Sequence, residues 1–165
     1  MGIVKTTARL ATVTLGIGVL ATGALAAQEV DLDKAEALEA KAAELLNVQD
    51  DWNSAAKLLR EAASHRPDGD AQARQDLYQA SRIAYYRGQE RRAVNDLEHL
   101  ADRALEEGDV LTAAHALADA AWIAHEEGMG TKTLDLSERA QKLALSPLIT
   151  ETQRATLQER FGLSG

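Results

Sequence analysis

Trp52-Asn-Ser-Ala-Ala-Lys-Leu-Leu-Arg-Glu-Ala-Ala-Ser-His-Arg-Pro67 is a helix-forming stretch that returns in weaker form about 38 and then about 40 residues further along the chain. The region between the copies repeats as well, because Ile83-Ala84 followed by Gly88 returns as Ile123-Ala124 followed by Gly128. A period in this range is typical of proteins built from repeated helical hairpins. The sequence therefore predicts stacked pairs of helices.

The composition favours the same fold class and limits the partners. Hydrophobic residues make up 45% of the 165 residues but aromatic residues only 4%, so the core must consist mainly of leucine and alanine. Small side chains allow helix axes to approach closely, whereas sheets are usually rich in branched and aromatic residues. The formal net charge is −8. An acidic surface repels phosphate groups, which argues against nucleic acid or an anionic membrane surface as partner.

The first 26 residues have the pattern of an export signal. Lys5 and Arg9 form a short basic start, and an uncharged, largely apolar run follows over residues 10–25. Ala24 and Ala26 give the small-x-small spacing that signal peptidase accepts. We therefore expect a signal peptide over residues 1–26 and a periplasmic or secreted mature protein of residues 27–165, with no stable membrane insertion after cleavage.

Two alternatives concern this segment. Cleavage could follow Ala27 instead, or the segment could be kept as a membrane anchor. The anchor is the weaker alternative, because a spanning helix needs about 20 strongly apolar residues and this run is diluted by threonine and glycine. The chain has no cysteine. Lipid attachment through cysteine and disulfide bonds are therefore excluded, and the exported domain must be stabilised by helix packing.

Helical periodicity and turn signals divide the mature chain into three repeats and a final helix. Arg66-Pro67-Asp68-Gly69 ends the first repeat, Glu107-Gly108-Asp109 the second and Ser146-Pro147 the third. Thr150, followed by Gln153, is the expected N-cap of the last helix. The predicted repeats are residues 33–68, 71–108 and 110–147, and residues 148–161 form a helix that caps the stack.

The first copy resembles the tetratricopeptide repeat family. In its second helix this family favours an aromatic residue, a small residue three positions on, a large apolar residue, another small residue and a closing proline. Trp52, Ala55, Leu59, Ala62 and Pro67 fill these places one for one. The resemblance implies an all-α, right-handed superhelix of about three antiparallel helix pairs. A generic all-α bundle is the alternative.

The later copies depart from the family pattern. The second keeps Gly88, Ala93 and Leu97 but has Leu100 where the second small residue belongs, and it lacks the closing proline. The third keeps Gly128 and Ala140 but has Thr133 and Ser137 at two pattern positions. The resemblance therefore covers roughly residues 33–147 and is most specific in the first copy.

The resemblance also implies a binding surface. In this family the first helix of each pair lines a concave groove that usually holds extended peptides or partner helices. Aromatic residues and arginine supply much of the binding energy at protein interfaces. An alternative is that the aromatic side chains pack against the neighbouring helix pair. The predicted protein-binding residues in the groove are Gln75, Tyr78, Arg82, Tyr85, His115, Trp122 and His125.

No pattern in the chain indicates catalysis, a metal or a cofactor. His115 and Asp119 share a helical face, but His115 and His125 are too far apart to share a metal as paired ligands on one helix do. A nucleophile elbow, a phosphate-binding glycine loop and a cysteine nucleophile are all absent. The groove also lacks the lysines with which some family members bind a terminal carboxylate. We therefore expect a protein that is not an enzyme.

Two classes of function follow. The first is an exported, non-catalytic interaction module that binds a peptide or protein segment in an aromatic groove. The second is a structural subunit of an envelope assembly that forms homo-oligomers through its ends. In that alternative Leu157, Phe161 and Leu163 would meet another copy instead of covering their own stack.

Overall fold

The computed structural model describes residues 30–161, and within them the regular structure is helical. The predicted all-α class is confirmed, and none of the described helices is long and apolar enough to cross a membrane. The predicted signal peptide lies outside the described residues. The helices are α1 (Leu32–Glu44), α2 (Trp52–Ser64), α3 (Ala71–Tyr86), α4 (Glu90–Glu106), α5 (Val110–Glu126), α6 (Gly130–Ala144) and α7 (Glu151–Phe161).

Aspartate caps begin four of these helices. An N-cap carboxylate accepts a hydrogen bond from an amide of the first turn that has no partner within the helix. Thr150, the predicted cap of α7, is confirmed. Its Oγ1 accepts from the Gln153 amide at 3.3 Å, and its own amide donates to Gln153 Oε1 at 2.9 Å. The aspartate caps are Asp31, Asp51, Asp70 and Asp109.

Gly88 and Gly128 reverse the chain after the first helix of the second and third pairs. Their φ angles are +68° and +67°, a left-handed conformation that side chains with a Cβ rarely adopt. The residue after each glycine donates its amide to the helix end, Gln89 to Ala84 O at 2.9 Å and Met129 to Ala124 O at 2.8 Å. These bonds satisfy carbonyls that the helix leaves free.

The end of α1 is irregular. The sequence predicts a polar break there, and the structure places a π-helical turn, Leu45–Gln49, before the left-handed Asp50 at φ 54°. The extra residue in a π turn shifts the direction in which the following side chains point. Asp50 accepts a hydrogen bond from Trp52 Nε1, and Leu46 and Trp52 both pack against the core cluster that contains Leu45. The turn therefore positions the tryptophan that opens α2.

Leucine and alanine form the core, as the composition predicts. Three positions of the repeat pattern, Ala55, Leu59 and Ala62, are each at most 4% exposed. Leu97 and Ala140, at corresponding positions of the later copies, are 2% and 0% exposed. Alanine at these positions allows adjacent helices to pack closely.

Ion pairs join the second helices of successive pairs. Arg60 of α2 and Asp96 of α4 are 2.6 Å apart in a bidentate pair, and Lys132 of α6 lies 2.7 Å from Glu98 of α4. These partners are 36 and 34 positions apart in the sequence, close to the repeat period. The repetition seen in the sequence is therefore also present in the packing.

Helix α7 covers the exposed end of the third pair. Leu157 is 0% exposed and packs with Ala114, Ala144 and Ile149. Arg154 donates to Ala144 O at 2.8 Å, which satisfies a carbonyl at the end of α6. The self-association alternative needed Leu157 to meet another copy, and this part of it is wrong because Leu157 is buried in its own stack.

Candidate binding groove

Three adjoining clefts run along one side of the molecule, where α1, α3 and α5 carry most of the lining residues. We call the cleft between α3 and α5 the aromatic cleft, the one between α1 and α3 near Trp52 the middle cleft, and the one around Glu39 and Asp76 the acidic cleft. Their volumes are about 460, 440 and 270 Å³. Arg82 and Tyr86 line both the aromatic and the middle cleft. Leu46, Asn47 and Gln79 line both the middle and the acidic cleft, so the three form one groove.

The aromatic cleft is built from rings that contact one another. The centroids of Tyr85 and Trp122 are 5.6 Å apart with the planes at 60°, and those of Tyr85 and Tyr86 are 5.7 Å apart at 56°. The guanidinium carbon of Arg82 lies 5.9 Å from the centre of the Tyr86 ring. Tilted ring pairs and cation–π contacts at these distances are attractive. These contacts order the rings in the absence of a partner.

Below the rings, one hydrogen bond crosses between the two helices. Tyr78 Oη donates to Asp119 Oδ2 at 3.4 Å, which links α3 to α5. Tyr78 and Tyr85 are half-buried and pack against the core, whereas Trp122 is 50% exposed and Tyr86 65% exposed. The cleft therefore has a fixed floor and two exposed aromatic side chains at its opening.

The middle cleft has an apolar wall. Leu46, Trp52 and Ile83 line it together with Gln79, and the Trp52 ring is held by its hydrogen bond to Asp50. Apolar walls with a few polar groups are typical of sites that hold an extended segment. Since both tryptophans of the chain line the groove, intrinsic fluorescence reports on its occupancy.

The acidic cleft contains two carboxyl groups from different helices. Asp76 of α3 is 1% exposed, and Gln72 Nε2 donates to its Oδ1 at 3.1 Å. Glu39 of α1 accepts from Arg66, which lies 2.7 Å away and also pairs with Asp70 at 3.2 Å. Burial and the negative charge of Glu39 raise the pKa of the Asp76 carboxyl to about 7. The cleft therefore changes its charge near neutral pH.

Four of the seven predicted groove residues lie together in the aromatic cleft. These are Tyr78, Arg82, Tyr85 and Trp122. Gln75 and His125 are exposed and His115 is half-buried, and the described clefts do not include them among their lining residues.

His115 lies near the start of α5. Burial tends to raise the pKa of Asp109 there, but the Thr112 hydrogen bonds and the charges of Arg74 and His115 lower it overall.

The predicted binding residues did not include several side chains that line the groove, among them Tyr86, Asp119, Trp52 and Asp76. Tyr86 lies four positions after the predicted Arg82, and Asp119 lies three positions before Trp122, so helical spacing could have found both. Trp52 was predicted only as the aromatic position of the repeat pattern, and it both packs against the core and lines the middle cleft. Asp76 gave no signal, because a single aspartate inside a helix is usually solvated.

Among residues 30–161, no group of three or more histidine, aspartate or glutamate side chains could hold a metal ion. No protein-family model, curated protein or solved structure matches this chain.

Proposed function

We propose that this chain is an exported, non-catalytic interaction module that binds an extended peptide or protein segment along the groove. In this proposal the three helix pairs form a right-handed superhelix of the tetratricopeptide repeat kind, and α7 caps its end. The repeat pattern of the first copy and the ion pairs between α2, α4 and α6 support that architecture. The basic start and apolar run before Ala26 support export.

The observation that carries the proposal is the group of exposed, mutually ordered aromatic rings in a groove. Exposed large apolar side chains that form a lined cleft are typical of interaction sites. Aromatic rings lose few rotamers on binding, and rings that already contact one another lose fewer still. Arg82 adds a planar donor that can pair with a carbonyl or carboxylate of the partner.

The polar groups of the aromatic cleft support a role in binding and not in catalysis. Ser81 Oγ donates to the backbone carbonyl of Tyr78 at 2.7 Å, within its own helix. An activated serine would instead donate to a neighbouring base. The proposal requires no cofactor or metal.

We expect the double variant Arg82→Ala/Trp122→Ala to lose the partner that the parent protein captures from the native envelope fraction. Removing an aromatic and an arginine hot spot costs about 2 kcal/mol or more each, so the affinity should fall at least 100-fold. Capture is measured by pull-down with residues 27–165, followed by titration of the captured segment against tryptophan fluorescence. The matched control is Arg87→Ala/Leu134→Ala, which removes an exposed arginine and an exposed apolar side chain outside the groove.

The outcomes separate the proposals. Equal capture by the parent and both double variants would place the binding surface outside the groove. Loss in the groove variant alone would support the groove as the site.

A second candidate, self-association as a structural subunit, is favoured by a different surface. Leu134, Leu145 and Leu148 are 73%, 71% and 71% exposed. Leu134 of α6 and Leu145, the residue that directly follows α6, lie about three turns apart on the same side of this helix. Apolar side chains on one face can meet the same face of another copy. A protein that captures no partner and whose mass rises with concentration in light scattering would favour this candidate.

A further inference from the structure

The aromatic cleft presents ring surface to any group that enters it. Tyr86 is 65% exposed and Trp122 50% exposed, and both line the cleft beside Tyr85. The planes of Tyr85 and Trp122 meet at 60°, so neither ring covers the other as parallel rings would. The face of an aromatic ring is electron-rich and attracts cations, most strongly where water is excluded. The cleft therefore favours a positively charged group.

The chain itself already places a cation beside one of these rings. The guanidinium carbon of Arg82 lies 5.9 Å from the centre of the Tyr86 ring. Arg82 is exposed and is not among the arginines that form the described ion pairs, which are Arg60, Arg66, Arg74, Arg103 and Arg139. The planar fork of N–H donors on a guanidinium matches the two oxygens of a carboxylate. Arg82 therefore supplies a group for binding an anion in the same cleft.

The lining of the aromatic cleft carries one charge of each sign. Asp119 of α5 is its acidic residue, and Asp119 Oδ2 accepts from Tyr78 Oη at 3.4 Å. Arg82 of α3 is its basic residue, and the other lining side chains are uncharged. Complementary charge favours a ligand that carries one cationic and one anionic group over a simple cation or a simple anion. The lining therefore fits a zwitterion.

The cationic group that fits this lining best has no N–H donors. A primary ammonium needs acceptors for its N–H groups, but Asp119 already accepts from Tyr78, and Ser81 Oγ donates within its own helix at 2.7 Å. Leu97 and Ile123, which are 2% and 6% exposed, add apolar surface to the lining. Rings and apolar side chains suit the methyl groups of a quaternary ammonium, which requires no hydrogen bonds.

We propose that the aromatic cleft binds a small zwitterion with a quaternary ammonium group and a carboxylate. The ammonium lies against the rings of Tyr85, Tyr86 and Trp122, and the carboxylate pairs with Arg82. The cleft volume of about 460 Å³ falls within the range of about 300 to 1,000 Å³ that is typical of small-molecule sites. This assignment goes beyond the binding of a peptide or protein segment, because the zwitterion occupies one cleft and needs no protein partner.

The direct test compares ligands that differ in one charged group. Glycine betaine is the zwitterionic probe. The anion 3,3-dimethylbutanoate has the same shape with carbon in place of nitrogen, and choline has a hydroxymethyl group in place of the carboxylate. Calorimetry on the protein as purified measures affinity, and the NMR signal of the Trp122 indole N–H locates the site. We expect glycine betaine to bind about tenfold more tightly than either analogue, since a desolvated cation–π contact and a guanidinium–carboxylate pair are each worth about a factor of ten.

Variants assign the two ends of the ligand separately. Arg82→Gln should remove the preference for glycine betaine over choline and keep the preference over 3,3-dimethylbutanoate. Trp122→Leu keeps apolar surface but removes a ring, so it should reduce the preference over 3,3-dimethylbutanoate by about threefold. The matched control is Arg87→Gln, at an exposed arginine outside the lining of the cleft, and it should keep both preferences.

Three results would overturn the assignment. They are equal affinities of the parent for glycine betaine and 3,3-dimethylbutanoate, no binding of glycine betaine, and binding that leaves the Trp122 signal unmoved. The test is independent of the proposed function because no protein partner is present. Capture of a partner segment without binding of glycine betaine would overturn the zwitterion site and leave the groove intact. Binding of glycine betaine without capture of any segment would support the zwitterion site and count against the proposed function.

Discussion

Leu117→Ala is expected to lower the free energy of unfolding by about 3 kcal/mol, because leucine truncation in a close-packed core removes apolar contacts and leaves a cavity. Leu117 is 0% exposed in α5, the helix that packs between α4 and α6. A loss of this size is a large fraction of the 5 to 15 kcal/mol that is typical of a whole domain. No disulfide can compensate for it, since the chain lacks cysteine.

The matched control is the same substitution on the next helix. Leu134 of α6 is 73% exposed, so Leu134→Ala should change the free energy of unfolding by about 0.5 kcal/mol or less. Urea unfolding followed by circular dichroism measures both variants. Similar losses in the two variants would contradict the assignment of α5 to the centre of the stack.

Trp52→Ala should lower the free energy of unfolding by about 2 to 3 kcal/mol, somewhat less than a fully buried tryptophan, because Trp52 is half-buried. Its ring packs against the core cluster that contains Leu45 and Leu59 and donates to Asp50, so its loss affects the junction between α1 and α2. Trp122→Ala removes a ring that is 50% exposed and touches Tyr85, so it should cost about 1 kcal/mol or less.

Thermal melts compare the stability of the two tryptophan variants. Affinity for the partner should rank them in the opposite order. The variant that melts earlier should be Trp52→Ala, and the folded variant that binds less tightly should be Trp122→Ala. Equal thermal losses would mean that Trp122 is a core residue, and its place in the binding groove would then have to be abandoned.

Much of the fold could be predicted because the signals are local. Arg66-Pro67-Asp68-Gly69 and Glu107-Gly108-Asp109 marked the ends of two repeats, and Thr150 with Gln153 marked the start of α7. Each of these depends on residues within a few positions of one another. The π-helical turn at the end of α1 could not be predicted, because no residue type specifies an extra residue in a helical turn.

The groove could be predicted only in part, for geometric reasons. Tyr78, Arg82 and Tyr85 lie within about 60° of one another around α3 and share one cleft. Gln75 and His125 share the same helical faces, but each lies near a helix end and outside the lining of the clefts.

The acidic cleft could be recognised only from the folded structure. Glu39 and Asp76 meet because the start of α3 packs near α1, and their sequence positions alone do not indicate a shared site. Sites formed between repeats therefore depend on the packing that the repeats produce.

The most direct test of the central claim is site-specific photo-crosslinking in the native envelope. A photoreactive phenylalanine derivative is placed at Tyr86 or Gln79, which are exposed and line the groove, or at Leu134, which is exposed outside it. We predict that the two groove positions crosslink to neighbouring residues of one extended segment in one partner protein, and that Leu134 does not. Crosslinks to that partner from Leu134 but from neither groove position would contradict the account.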